Sequence, residues 1–87
     1  MKVYKFYADW CQPCKILSKQ IQDNPDIDKI ITPIDCADDK DELCEKYKII
    51  SIPTIVITKD NGEMISKLIS PTINNLKDTL QKYKIIK

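Results

Sequence analysis

Trp10-Cys11-Gln12-Pro13-Cys14-Lys15 is the stretch that decides the fold of this chain of 87 residues. A C-x-x-C pair alone is a weak signal, because half of many zinc sites has the same spacing. Here residues 3–8, before it, have the aromatic and β-branched side chains of a strand, and apolar residues after it follow helical spacing. Cys11 is therefore predicted at a helix N-terminus, where unpaired amides and the positive end of the helix dipole stabilise a thiolate.

The two cysteines of this stretch are predicted to divide one reaction between them. In such a setting the pKa of a cysteine falls from about 8.5 to roughly 3.5–7.5, so Cys11 is the expected nucleophile toward a substrate disulfide. Cys14, one turn inward and shielded from solvent, is expected to resolve the mixed disulfide. The chain has no histidine, which excludes His-based general bases, Ser-His triads and His-containing zinc sites.

Turn-forming and helix-stopping residues divide the next part of the chain. Asn24-Pro25 is predicted to end the first helix. Residues 30–36 indicate a strand, and Pro33 places it at a sheet edge because proline has no N–H to donate. A helix is then predicted with Asp38 or Asp39 as its N-cap and with Asp41 and Glu42 in its first turn.

The second half of the chain predicts a hairpin and a last helix. The strand-like runs 54–58 and 63–69 are joined through Asn61-Gly62, the strongest short hairpin signal. Residues 72–83 carry an apolar stripe at helical spacing, preceded by hydroxyl residues suited to capping. The order βαβαββα predicts an α/β fold with a four-stranded mixed sheet, helices on both faces and the Cys11 turn at the C-terminal end of a central strand.

Composition limits the number of domains and the classes of partner. A chain of 87 residues that is 43% hydrophobic predicts one domain, 1–87. Its 14 Lys+Arg and 13 Asp+Glu give a net charge of +1, so no basic face for nucleic acid is expected. No apolar run approaches the roughly 20 residues of a membrane helix. Residues 1–10 lack the pattern of a signal peptide, and we expect a cytoplasmic monomer without membrane contact.

The sequence resembles the thioredoxin family over nearly its whole length. The matching segments are Ala8-Asp9-Trp10-Cys11-Gln12-Pro13-Cys14-Lys15, Lys46-Tyr47-Lys48-Ile49, Ile52-Pro53-Thr54, Lys59 with Asn61-Gly62-Glu63, and Leu76-Lys77-Asp78. Pro53 follows Cys14 by 39 residues, and the matching proline of the family is cis and faces the dithiol. The resemblance implies a thioredoxin fold and a thiol-disulfide oxidoreductase that reduces disulfide-containing protein substrates without a bound cofactor or metal.

The resemblance also implies a docking surface and an electron donor. Trp10, Gln12 and Ile52 would frame a shallow surface beside the disulfide under attack, and Pro13 and Pro53 would shape it. A cis proline presents the backbone of the residue before it, so Ile52 could pair with an extended substrate. Electrons would come from an NADPH-dependent thioredoxin reductase.

Two positions depart from the family pattern. Gln12 stands where the family usually has glycine between the cysteines, and Lys5 stands where it has a buried acid. A buried Lys5 would have a lowered pKa and could take the proton of Cys14 as a neutral amine. We favour the alternative in which Lys5 reaches water, because lysines are almost never fully buried without a partner.

Other hypotheses concern the reductant and the remaining cysteines. The short length also suits a glutaredoxin-like, glutathione-dependent reductase, although residues 67–71 lack the glycine pair and acid of a glutathione site. A non-catalytic module that binds a metal or a protein is the third hypothesis. Cys36 and Cys44 are expected to pack in the core, with a second redox pair or a four-cysteine zinc site as alternatives.

Overall fold

The computed structural model describes residues 1–38 and 42–87. The elements are β1 (Lys2–Tyr7), α1 (Gln12–Gln22), α2 (Pro25–Asp28), β2 (Ile31–Asp35), a 3₁₀ turn (Cys36–Asp38), α3 (Leu43–Lys46), β3 (Thr54–Thr58), β4 (Met64–Ile69) and α4 (Ile73–Lys82). None of the helices in these two segments is long and apolar enough to cross a membrane.

The four strands form one mixed sheet with β1 in its interior, as the sequence predicted, and their order is β2-β1-β3-β4. β1 pairs in parallel with β2 and antiparallel with β3, and β3 pairs antiparallel with β4. Pro33 lies on the edge strand β2, where its missing N–H leaves no ladder bond unmade. The interior position of β1 places the turn that follows it, and therefore Cys11, at the C-terminal end of a central strand.

Alternate side chains of β1 point to two separate cores. On one face Val3 contributes to a cluster with buried residues of α1 and α4, here called the α4 cluster: Val3, Leu17, Ile21, Ile27, Ile55, Ile57, Leu76 and Leu80. On the other face Phe6, Tyr47 and Val56 form a smaller group, here called the Tyr47 cluster. Full burial of one such apolar side chain is worth about 1.5–3 kcal/mol, so these clusters hold the layers together.

The first helix ends as predicted, but the chain does not then go directly to a strand. Asn24 N-caps a one-turn helix, α2, in which Pro25 occupies the first position, where its missing N–H is harmless. The side chain of Ile27 anchors this turn in the α4 cluster at 1% exposure. Burial of that one side chain explains an element too short to leave a periodic signal in the sequence.

The start of the third helix differs from the prediction. Asp38 does not cap α3, because it belongs to the 3₁₀ turn, in which the carboxylate of Asp35 accepts the N–H of Ala37 at 2.9 Å. Glu42 occupies the N-cap position in a left-handed conformation, with φ of 56°, and its side chain makes no cap hydrogen bond. The alternative cap Asp39 and the predicted first-turn residue Asp41 lie outside the described residues.

The last helix follows the prediction. The hydroxyl of Thr72 accepts the N–H of Asn75 at 3.1 Å and so caps α4. Leu76 and Leu80 are fully buried on its inner stripe. The sequence predicted this helix correctly because its cap and its periodicity are both local signals.

Candidate functional site

The structure joins Cys11 and Cys14 by a disulfide, with Cα atoms 5.2 Å apart. Cys11 is the N-cap of α1 in an extended conformation, so its side chain points back over the first turn. The N–H of Cys14 donates to the Cys11 sulfur at 3.2 Å. The helix terminus thus holds this sulfur with one of its otherwise unpaired amides, the arrangement that the sequence predicted.

Cys11 is more covered than the sequence suggested. Cys14 is 1% exposed, as expected for the inner cysteine, but Cys11 is also buried, at 4%. The pair packs with Ala8, Tyr7 and Ile52. The carbonyl oxygen of Ile52 lies 3.8 Å from the Cys11 sulfur. Cys11, the expected nucleophile, is thus covered rather than open to solvent, because the segment that carries Ile52 packs over the pair.

That segment contains the cis peptide bond Ile52–Pro53, which the family resemblance implied. Pro53 is buried, and its carbonyl oxygen accepts the N–H of Ser70 at 2.8 Å. Ser70 adopts a left-handed conformation with φ of 48° just after β4. Our sequence reading gave Ser70 no part in the site, since its contact with Pro53 depends on the sheet and has no local pattern.

Exposed side chains surround the covered disulfide. Trp10 is 77% exposed, and Gln12 and Pro13 are exposed beside it. Ile50, which the sequence analysis did not single out, is 89% exposed, although it precedes the site proline by only three residues. A groove of about 430 Å³ lies against the buried Pro53 and also has Pro13 in its wall. The groove, with exposed Trp10 and Ile50 nearby in the sequence, is the candidate binding surface beside the disulfide.

Lys5 is neither fully buried nor fully exposed, so it lies between the two alternatives that the sequence left open. Its side chain is partly buried on the α1 side of the sheet, where the amine donates to the Ser18 hydroxyl at 2.7 Å and lies 5.5 Å from the centre of the Tyr7 ring. Burial lowers the pKa of Lys5, and the nearby charge of Asp28 opposes part of that shift. Ser18 is the polar partner that makes this partial burial tolerable.

A cavity of about 450 Å³ lies between this region and the inner cysteine. Cys14, Ser18 and Tyr7 are among the residues that line it. The pKa of Tyr7 is raised, chiefly by desolvation and secondarily by the charges of Asp35 and Asp9, so its hydroxyl stays neutral at physiological pH. The same cavity is also lined by the charged residues Asp9, Lys15 and Lys19, whereas β1 itself supplies no carboxylate beside the inner cysteine.

We expect Lys5→Met to raise the free energy of unfolding at pH 7 by about 1 kcal/mol or less, the lost bond to Ser18 offsetting part of the gain. Folding lowers the pKa of Lys5. In the pH range between that lowered pKa and the ordinary value of 10.5, the unfolded chain therefore binds more protons than the folded protein. Wild-type stability should therefore rise with pH through this window, and the advantage of methionine should shrink. Urea unfolding at pH 7 and pH 10 measures the free energy of unfolding of wild type and variant, and Lys19→Met, at an exposed position, is the control. A stability gain in Lys5→Met that is the same at both pH values contradicts the prediction.

Cys36 and Cys44 form a second disulfide, with Cα atoms 6.0 Å apart. Both are partly buried and pack against the Tyr47 cluster. The two residues do pack against the core, as expected, but the expectation that they are separate thiols is wrong, because their sulfurs are bonded to each other. Within residues 1–38 and 42–87, no three Cys, Asp or Glu side chains are grouped so that they could hold a metal ion.

A covered disulfide at a helix N-terminus, closed over by a cis-proline segment on a mixed four-stranded sheet, defines the class of thiol-disulfide oxidoreductases with a thioredoxin fold. The thioredoxin family model matches residues 1–83, and the chain belongs to the thioredoxin family. It is a thioredoxin-like disulfide oxidoreductase.

Individual proteins agree with this assignment. A thioredoxin of Mycoplasmoides gallisepticum is 39% identical over 85 residues, which cover 91% of this chain and 80% of that protein. The reduced thioredoxin of Schistosoma mansoni superimposes with a TM-score of 0.77 at 30% identity, covering 93% of this chain and 76% of its own. A chain of the ferredoxin:thioredoxin reductase–thioredoxin f2 complex shares the fold, with a TM-score of 0.79 at 21% identity, covering 94% and 76%.

Proposed function

We propose that this protein reduces disulfides of other proteins by dithiol exchange at Cys11 and Cys14, within one domain formed by residues 1–87. The observation that carries the proposal is the position of the Cys11 sulfur, held by the Cys14 N–H at the start of α1 and facing the Ile52 carbonyl. In the reduced protein the same N–H and the helix dipole would favour the Cys11 thiolate over the thiol.

The exchange transfers two electrons and two protons in two steps. The Cys11 thiolate attacks one sulfur of the substrate disulfide, which forms a mixed disulfide and releases the other substrate sulfur as a thiolate. Cys14, deprotonated, then attacks the Cys11 sulfur and releases the second substrate thiolate. The product is the Cys11–Cys14 disulfide seen in the structure. The burial of Cys14 supports its assignment as the resolving thiol, because a substrate reaches it less easily than Cys11.

We assign substrate docking to Trp10, Gln12, Pro13, Ile52 and Pro53. Trp10, Gln12 and Pro13 are exposed around the cysteines, and the Ile52 carbonyl points toward Cys11. An extended peptide that pairs with backbone groups at Ile52 would bring its cystine to the Cys11 sulfur with little dependence on sequence. Such a surface favours polypeptide disulfides over small ones, since only a polypeptide covers the exposed Trp10.

We further propose an NADPH-dependent thioredoxin reductase as electron donor and a cytoplasmic monomer as the working form. Membership of the thioredoxin family supports a reductase partner, and one thioredoxin, thioredoxin f2, has been solved in complex with a reductase, ferredoxin:thioredoxin reductase. A disulfide reductase must be recharged continuously, which a reducing compartment allows. One cysteine pair per chain is enough for the two-step exchange, so no second copy is required.

A turnover assay with two alternative donors tests the function. Insulin and a small aromatic disulfide serve as substrates, with either NADPH plus a bacterial thioredoxin reductase or glutathione plus glutathione reductase as the donor system. We expect turnover with the first system and a higher kcat/KM for insulin. Activity only with glutathione would instead support the glutaredoxin-like alternative, and no activity with either would support a non-catalytic binding module.

A further inference from the structure

We propose that Cys36 and Cys44 are a second dithiol–disulfide couple whose closed form positions the docking surface, so that its redox state sets the affinity for protein substrates. The inference rests on the proposed function, because it concerns the surface on which substrates would dock. It assigns a role to the pair that the reaction at Cys11 and Cys14 does not use.

The first step is the placement of the two sulfurs. Cys36 directly follows β2 and Cys44 lies in the first turn of α3, so the bond ties that turn to the end of the edge strand. Cys44 follows Cys36 by eight positions in the sequence. Neither residue is fully buried, so the residues that form this bond are less covered than Cys11 and Cys14.

The second step connects this bond to the docking surface. The carbonyl oxygen of Cys44 accepts the N–H of Ile49 at 2.8 Å. Ile49 and Ile52 both pack against the Tyr47 cluster, which is also where the disulfide packs. A displacement of the first turn of α3 would therefore reach Ile49, exposed Ile50 and Ile52, all of which precede the site proline.

The third step is that the two ends of α3 are held by different contacts. The helix has only four residues, and Glu42 at its N-cap supplies no side-chain cap. The opposite end is held independently, because the amine of Lys67 donates to the carbonyl oxygens of Tyr47 at 3.1 Å and Lys48 at 2.9 Å. Opening the disulfide should therefore loosen the segment toward Ile52 and leave the Tyr47 cluster and the sheet folded.

The chemistry is ordinary thiol–disulfide exchange with a low-molecular-weight thiol or a protein dithiol as reductant. Two reductant thiols become one disulfide, and the Cys36–Cys44 bond is replaced by two thiols that take up the two protons. The reverse reaction, with a disulfide as oxidant, closes the bond. In a reducing compartment the couple rests open and closes under oxidative load, when substrate disulfides accumulate.

A redox titration tests whether the couple exists. The variant Cys11→Ser/Cys14→Ser retains only the second pair and is equilibrated with mixtures of reduced and oxidised glutathione, then alkylated and analysed by mass spectrometry. We expect a reversible change between no labelled thiol and two labelled thiols. Two labelled thiols across the whole series, or closure that reductant does not reverse, would overturn the proposal.

Binding measurements on the same variant test positioning without any catalytic exchange. We expect reduction of Cys36–Cys44 to weaken the Kd for a disulfide-containing polypeptide such as insulin about fivefold, equivalent to about 1 kcal/mol. Hydrogen exchange should accelerate at residues 49–52 and stay unchanged in α4. The matched control adds Cys36→Ser and Cys44→Ser and should bind weakly at every redox ratio. Equal Kd values for the open and closed forms would overturn the proposal. Failure of the proposed function would appear in a different experiment, as inactivity of the wild-type protein in the turnover assay.

Discussion

Cys11→Ser should abolish disulfide reduction, lowering kcat/KM for insulin by more than about 10³-fold. A serine hydroxyl is not ionised near neutral pH and forms no bond to sulfur that a second thiol can exchange. The fold should persist, because serine is a preferred N-cap and its oxygen can accept the Cys14 N–H that the sulfur now accepts. Turnover with a thioredoxin reductase system and the circular dichroism spectrum measure activity and fold in the same sample.

Cys14→Ser is the matched control, since it removes the other sulfur of the same disulfide. This variant should still attack substrate but should not release it, so it accumulates a mixed disulfide at Cys11 that mass spectrometry detects as a one-to-one adduct. Cys11→Ser should form no such adduct. An adduct in Cys11→Ser, or multiple turnovers by Cys14→Ser, would reverse the two assignments or show that another thiol performs the reaction.

The parts of the fold that the sequence predicted correctly are those with local causes. The start of α1 was predicted from the change between strand and helix patterns at Cys11, and the β3–β4 hairpin from Asn61-Gly62, in which Gly62 has φ of 93°. Thr72 caps α4 as its position before an apolar stripe indicated. Each signal lies within a few residues of the feature it specifies, so no tertiary contact was needed.

The parts that were missed or wrong depend on contacts distant in sequence. α2 exists because Ile27 reaches the α4 cluster, and the first turn of α3 is tied by a bond between Cys36 and Cys44. The burial of Lys5 depends on Ser18, thirteen residues away on another element. None of these partners can be identified from spacing alone, although two cysteines eight residues apart were a signal that deserved more weight.

The candidate site shows the same division. The residue types around Cys11 predicted the helix N-terminus at which the cysteine pair lies, and the resemblance to the thioredoxin family implied the cis proline that the structure has. The contact of Ser70 with Pro53 and the high exposure of Ile50 were not predicted, because both follow from how β4 and the segment before Pro53 meet in space. The close cover that Ile52 gives to Cys11 is likewise a tertiary effect.

Leu80→Ala should lower the free energy of unfolding by about 2–5 kcal/mol, the usual result of emptying a fully buried leucine site. For a domain of this size that loss corresponds to a fall in Tm of roughly 10–30 °C. Leu80→Met is the conservative control and should cost less than about 1.5 kcal/mol, because it nearly preserves the volume. Urea and thermal unfolding followed by circular dichroism measure both variants; a loss below about 1 kcal/mol in Leu80→Ala would show that the α4 cluster does not carry the stability assigned to it.

Activity per folded molecule should survive Leu80→Ala when measured well below its Tm. The cavity opens in the α4 cluster, whereas the cysteine pair packs in a separate group with Ala8. Leu80 shares its cluster with Leu17 and Ile21, in the later turns of α1. The Cys11 sulfur is held by a hydrogen bond in the first turn of α1, so a cavity beside those later turns does not move it. Cys11→Ser should thus remove activity and keep the fold, whereas Leu80→Ala should lower stability and keep the activity of the folded molecules. A loss of kcat per folded molecule in Leu80→Ala would mean that α4 packing helps to hold the site.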